Sequence, residues 1–136
     1  MNEPQKHLKG SCHCGAVSVR VPEDSIGVVA CHCGDCQELH GNFFAMLVAN
    51  KAEVVWEGIE SIEAYRSSDT VQRTFCMKCG SRLAKVPDTS PKVMISAGLF
   101  DRTLPRRIIK NVWVESKPDW YDLPATNPLP PEKSES

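Results

Sequence analysis

Cys31-His32-Cys33-Gly34-Asp35-Cys36 sets three cysteines inside six residues. A C-x-C fused to a C-x-x-C turns the backbone tightly enough to bring three thiolates onto one ion, at a zinc–sulfur distance of about 2.3 Å. Three donors are one short of a tetrahedron. Zinc sites that only hold a fold take four protein ligands, whereas reactive ones keep a position for water or substrate, so an isolated group of three points to an open site. The competing reading is that a cysteine from elsewhere completes the shell.

Upstream of this stretch, Gly10-Ser11-Cys12-His13-Cys14-Gly15 leads into Val17, Val19 and Val21, which alternate with Ser18 and Arg20. Period-two alternation of β-branched residues predicts a half-buried strand ending at Pro22. Cys12 and Cys14 then sit where that strand begins. An extended C-x-C points both sulfurs to one side and His13 to the other, so the pair can chelate one ion while His13 faces solvent. Residues 26–30 form a short apolar run that predicts a strand delivering Cys31 at its end. Beyond the three cysteines, residues 37–41 read as one helical turn stopped by Gly41, and residues 43–48 as a buried strand. Phe43 and Phe44 are then either core or walls of a metal site. His32 and His40 are close enough in sequence to act as ligands or proton shuttles, or to be surface groups beside the loop.

Downstream, residues 52–56, 62–66, 71–75, 81–86, 92–100 and 108–114 read as further strands, the last carrying Trp113, with Trp120 packing back on the body. Short strands separated by polar turns predict an antiparallel, mainly β domain rather than alternating β and α units. Phe75-Cys76-Met77-Lys78-Cys79-Gly80 has the form of a zinc knuckle, in which glycine accommodates the turn. A redox C-x-x-C is the rival, but that motif needs a βαβ setting the pattern lacks.

The chain has 136 residues, 41% hydrophobic and 24% charged, which fits one globular domain. Its expected limits are residues 10–123, after an N-terminal extension at 1–9 and before a proline-rich tail at 124–136 that lacks core-forming residues. Seven cysteines cannot all pair as intramolecular disulfides, and their groupings are metal spacings, so a reducing compartment is expected. No signal-peptide pattern and no eighteen-residue apolar run are present, and a cytoplasmic location is expected. A net charge of -1 gives no overall pull towards nucleic acid or anionic membrane, so neither is expected as a partner. Arg102, Arg106, Arg107 and Lys110 concentrate positive charge locally, as a solvated face or as an anchor for a carboxylate or phosphate.

The seven cysteines divide in two ways. Cys12, Cys14, Cys76 and Cys79 make a closed four-thiolate site and leave Cys31, Cys33 and Cys36 as an open one. Alternatively, Cys33 and Cys36 join Cys76 and Cys79 as a zinc ribbon, leaving Cys12, Cys14 and Cys31 for other work. Spacing by itself leaves both open.

The three cysteine motifs, taken in order with the Asn111-Val112-Trp113-Val114-Glu115-Ser116-Lys117-Pro118-Asp119-Trp120 segment, resemble the glutathione-dependent formaldehyde-activating enzyme family, which also includes centromere protein V. The resemblance covers about residues 10–123. It implies an antiparallel β-sheet tent (Mss4-like) organised around two zinc sites. It also implies a structural zinc on Cys12, Cys14, Cys76 and Cys79, an active-site zinc on Cys31, Cys33 and Cys36, and so two Zn²⁺ per chain. The implied activity is that of a carbon–sulfur lyase handling glutathione and formaldehyde. A fold hosts many functions, however, so substrate must be argued at the site.

Three thiolates around Zn²⁺ leave a formal charge of -1, which makes a weaker Lewis acid than a zinc held by neutral histidines. Such a soft site suits a small thiol, bound as thiolate beside the metal while a C–S bond forms or breaks. His32, Asp35 and His40 are the candidates for acid or base. From a different class, the alternative is a non-catalytic, zinc-stabilised protein-interaction module.

Overall fold

The computed structural model describes residues 6–23, 27–104 and 106–124. Position 26, where one strand is expected to begin, and most of the proline-rich tail lie outside them. Ten strands form two sheets: β1 (His7–Ser11), β2 (Ser18–Pro22), β3 (Val28–Cys31), β4 (Phe44–Asn50), β5 (Val55–Glu57), β6 (Ile62–Ser68), β7 (Val71–Cys76), β8 (Arg82–Pro87), β9 (Lys92–Ser96) and β10 (Ile108–Val112). A single α-helix, α1 (Gly34–His40), follows β3 among the described residues. The chain is mainly β, as its alternating patterns predict. Among the described residues no helix is long and apolar enough to cross a membrane.

The smaller sheet has the order β1-β2-β5 and the larger β10-β3-β4-β9-β8-β7-β6. All pairs are antiparallel except β10 with β3, which run parallel, so the larger sheet is mixed rather than antiparallel throughout. The sequence pattern does not encode that choice. β10 returns to the edge of β3 after the long excursion through β4 to β9, and a connection of that length permits either direction. An isolated bridge ties Gly10 of β1 to Phe100, four residues beyond the end of β9.

β1 is absent from the sequence-based expectation, because His7, Leu8, Lys9, Gly10 and Ser11 offer one large apolar residue among five. It begins inside the segment read as an N-terminal extension. Its ladder with β2, from His7 opposite Pro22 to Ser11 opposite Ser18, supplies the order that the side chains do not. The expected strand at 52–56 is a 3-10 turn, Lys51–Glu53, followed by β5. The last strand stops at Val112. Trp113 has a left-handed backbone (φ 58) and opens a 3-10 turn, Val114–Ser116, which removes it from the strand where it was expected. Trp120 is 71% exposed and does not pack back on the body.

The main core is Val19, Val21, Val28, Leu47, Ala49, Ala84, Val93, Ile95 and Phe100, drawn from both sheets. Two satellite clusters flank it. One joins Cys12, Val17, Cys76 and Leu83, and the other Cys31, Cys36, Phe44 and Met46. Each satellite thus surrounds one group of cysteines with apolar side chains. Four ladder steps separate β3 from β7, about 19 Å in a flat sheet. Yet Arg73 on β7 reaches the sulfur of Cys36 in α1 at 3.5 Å. The large sheet therefore curls, and α1 lies on its concave face.

Candidate metal centres

The chain brings its cysteines together as four and three. The sulfurs of Cys12, Cys14, Cys76 and Cys79 lie within 4.8 Å of one another, as do those of Cys31, Cys33 and Cys36. All seven are free thiols. The zinc-ribbon alternative, which would unite Cys33 and Cys36 with Cys76 and Cys79, does not occur among these groups.

The four-thiol group is built on two turns. Residues 12–17 connect β1 to β2, so the C-x-C lies on a turn rather than at the start of an extended strand, with the Gly15 N–H bonded to the Cys12 carbonyl at 3.1 Å. The second turn joins β7 to β8, where the Gly80 N–H bonds to the Cys76 carbonyl at 2.8 Å. Gly15 (φ 83) and Gly80 (φ 81) end these turns in left-handed backbone, which a β-carbon would strain. The setting of Cys76 and Cys79 is an antiparallel hairpin, not the βαβ unit of a thioredoxin-like redox pair. Sulfur separations are 3.6 Å for Cys12–Cys14 and 3.8 Å for Cys14–Cys76. Four sulfurs at about 2.3 Å from one zinc stand about 3.8 Å apart. The donor set therefore fits a tetrahedral zinc. Val17 N–H donates to the Cys12 sulfur (3.3 Å), and the Ser81 hydroxyl lies 3.2 Å from that of Cys79. Contact with Ser81 holds the Cys79 thiol down at about 5, whereas at Cys14 the lowering pull of the Ala16 N–H is outweighed by partial desolvation and by Cys12, Cys79 and Cys76, and the thiol rises to about 11. His13 is exposed, as expected, but on a turn rather than on the far side of an extended strand.

The three-thiol group straddles a strand end and a helix start. β3 delivers Cys31, and Cys33 caps the N-terminus of α1, its sulfur accepting from the Cys36 N–H at 3.4 Å. The helix begins three residues earlier than the sequence suggests, because Cys33 supplies the cap that Ser, Thr or Asp usually provides. Gly41 ends it, as expected. Cys31 and Cys36 are 1% and 0% exposed, and Cys33 is half-buried. The Cys31 thiol is lowered to about 5, chiefly by its hydrogen bond with Cys36 and further by Cys33 and the charge of Lys85. The Cys36 thiol is pushed up correspondingly, by Cys31 and by burial, against the pull of Arg73. Three soft donors in this arrangement fit a thiophilic ion such as zinc.

Beside Cys33 is a cleft of about 380 Å³, lined by Cys33, Gly34, Asp35, Ser67, Ser68, Val71, Arg73, Lys85, Trp113 and Ser116. Of the three acid–base candidates, Asp35 alone lines it. His32 is fully buried, its Nε2 2.9 Å from the Asn111 Oδ1, with its ring against Phe43 and Tyr121. His40 stacks on Phe44 at 4.2 Å, and burial together with Arg73 and Arg82 lowers its pKa to about 4. Phe44 is both core and site wall, packed against Cys31 and Cys36, while Phe43 packs on His32. Arg102, Arg106, Arg107 and Lys110 do not line the cleft. Arg106 bonds to the Glu23 carbonyl, and Arg102 borders a separate hollow with Lys9 and Phe100. Sequence reasoning missed Arg73, Lys85 and Trp113. The left-handed backbone of Trp113 has no sequence signal, and the two cations belong to strands that read simply as sheet.

The fold and the paired thiol groups define a mainly β protein with two candidate metal centres. Residues 7–116 match the family model described as glutathione-dependent formaldehyde-activating enzyme, and the chain belongs to that family. It is 30% identical over 126 residues to a Halomonas elongata protein whose name assigns it provisionally to these enzymes, with 85% of this chain and 80% of that one covered. It is 28% identical over 117 residues to an uncharacterized lyase of Schizosaccharomyces pombe, covering 85% and 84% respectively. A crystal structure of a Rhodobacter sphaeroides protein shares the fold, with a TM-score of 0.61 at 19% identity over 76% of this chain and 99% of that one.

Proposed function

We propose that the protein is a zinc-dependent carbon–sulfur lyase of the S-hydroxymethylglutathione-synthase kind, acting on a small thiol such as glutathione or on its carbonyl adduct. The observation that carries this reading is the three-thiol group opening through Cys33 onto a cleft of about 380 Å³. Family membership and the names borne by the relatives support it. In this reading Cys12, Cys14, Cys76 and Cys79 hold a structural zinc and Cys31, Cys33 and Cys36 an active-site zinc, two ions per chain. The curled sheet is the tent of the Mss4-like kind, and the folding unit runs from β1 to about residue 123.

Bound at the three-thiol group, zinc supplies a soft site that favours the thiolate form of an incoming thiol. The chain's own residues do the rest. Arg73 and Lys85 put positive charge on the cleft floor, and the Trp113 ring gives it an apolar wall. Asp35 is placed to accept the thiol proton and return it to the carbonyl oxygen. In adduct formation the sulfur lone pair makes the C–S bond, the C=O π pair moves onto oxygen, and the proton follows it there. The lyase direction reverses each step.

Elemental analysis after purification under reducing conditions should return two zinc ions per chain. Titrating glutathione or cysteine into the cobalt-substituted protein should change its visible spectrum, and should leave unchanged that of a variant lacking Cys31, Cys33 and Cys36. One zinc per chain, with no response to any thiol at millimolar concentration, would remove the lyase reading. The protein-interaction module is the second reading, favoured by one observation. Ile108, Ile109, Trp113, Val114 and Trp120 are exposed on and just after the edge strand β10.

A further inference from the structure

Arg73 is 5% exposed, yet no carboxylate contacts it among the described residues. Its Nε donates to the Ser67 hydroxyl at 3.2 Å and its Nη1 to the Cys36 sulfur at 3.5 Å. A guanidinium removed from water needs an anion beside it, because burial strips away the hydration that stabilised its charge. A hydroxyl is not an anion. The register adds a second, independent sign of the same demand. Arg73 on β7 stands directly opposite Lys85 on β8, and like charges in that position repel. Among the described residues no carboxylate pairs with Lys85 either, and its charge acts on Cys31. Two cations placed side by side, one of them buried, thus share a cleft with Asp35 and Cys33, and of these potential anions it is the three-thiol group that Arg73 contacts, through the Cys36 sulfur.

We infer that Arg73 is a positioning residue: its guanidinium is the counter-ion of the Cys31, Cys33 and Cys36 thiolates and offsets the negative charge that an anionic fourth ligand brings to them. The inference rests on reading this group as a thiol-binding metal site. Zinc with three thiolates carries -1, and a thiol that binds as thiolate brings the metal and its sulfurs to -2, its proton having left the sulfur for Asp35 or solvent. Arg73 returns that sum to -1 where water cannot screen it. The four-thiol group would also carry -2, but Cys14 is exposed and Cys79 half-buried, so solvent does there what Arg73 does at the buried group. Ser67 fixes the direction of the guanidinium by holding its Nε.

The test uses the intact protein with cobalt in place of zinc, and two probes: 2-mercaptoethanol, which binds as an anion, and imidazole, which binds neutral. Arg73→Gln should weaken mercaptoethanol binding by about tenfold or more and leave imidazole binding within about twofold, and Arg73→Lys should recover most of the loss. Equal weakening of both probes, or of neither, would overturn the inference. If the wild-type protein takes up neither probe, the lyase reading fails, and withdrawal of metal by a chelator then decides the matter. An anionic cluster stripped of its counter-ion should lose cobalt several-fold faster in Arg73→Gln than in wild type, and an unchanged rate overturns the role of Arg73. Should Arg73→Gln fail to fold, Ser67→Ala releases the guanidinium without touching a cysteine. It should lower mercaptoethanol affinity about threefold with imidazole unaffected, and no change in either would count against the proposal.

Discussion

The two thiol groups differ in how they are tied into the chain. The four-thiol group spans from the turn after β1 to the turn after β7, joining the small sheet to the far side of the large one. The three-thiol group is local: Cys31, Cys33 and Cys36 lie within six residues, on a strand end and the helix it leads into. A metal on the first closes a long loop of chain, whereas a metal on the second closes almost none. The difference teaches that equal ligand chemistry can serve opposite ends. Long-range closure turns metal affinity into folding free energy, and local closure leaves that affinity free for ligand exchange.

The sharpest way to break this comparison is to remove one ligand from each group. Cys76→Ser or Cys79→Ser should abolish cooperative unfolding or lower stability by roughly 5 kcal/mol or more, because binding energy at a closed zinc site is also folding energy. Cys33→Ser or Cys36→Ser should keep the fold and lose one metal, as seen in thermal melts and elemental analysis. Equal destabilisation by the two sets would refute separate roles. Next in size is the apolar packing beside the four-thiol group. Leu83 is fully buried against Cys12, Val17 and Cys76, and Leu83→Ala should cost about 3 kcal/mol in denaturant melts. It should also speed metal loss from that group.

A chelator challenge on the wild-type protein ranks the sites directly. The three-thiol group, with one fewer donor, should release its metal at least about tenfold sooner, a difference of about 1.4 kcal/mol in barrier. Simultaneous release would show that the two groups unfold as one unit.

The smallest effect concerns His40, on the helix that carries Cys36. Its folded pKa of about 4 lies below the ordinary imidazole value of 6.5, so between these values the unfolded chain binds more protons. The stability it contributes is complete above pH 6.5 and is lost as pH falls towards 4. Stability of the wild type should therefore decline more steeply than that of His40→Gln, by up to about 1.4 kcal/mol per pH unit, in urea melts between pH 6.5 and 5.5. Parallel declines would show that His40 is solvated rather than held neutral against Phe44.

Much of this was legible in the chain. Alternating β-branched residues disclosed β2, and apolar runs bounded by turns disclosed most other strands, because a strand facing a core repeats every two residues. The cysteine motifs announced candidate metal centres, since chelation by C-x-C and C-x-x-C depends on the backbone within a few residues. Long-range placement is another matter. Which pairs of cysteines combine depends on β1–β2 and β7–β8 meeting in space, and spacing leaves that open. The parallel docking of β10 on β3 and the bend at Trp113 are equally silent in the sequence. Arg73 stands 37 residues from Cys36, and neither its neighbourhood nor its charge marks it as a partner of sulfur. Only the curl of the large sheet brings the two together. Ligand identity is thus a local property written by side-chain chemistry, and the electrostatic setting of those ligands is a tertiary one, fixed when distant strands fold over a common helix.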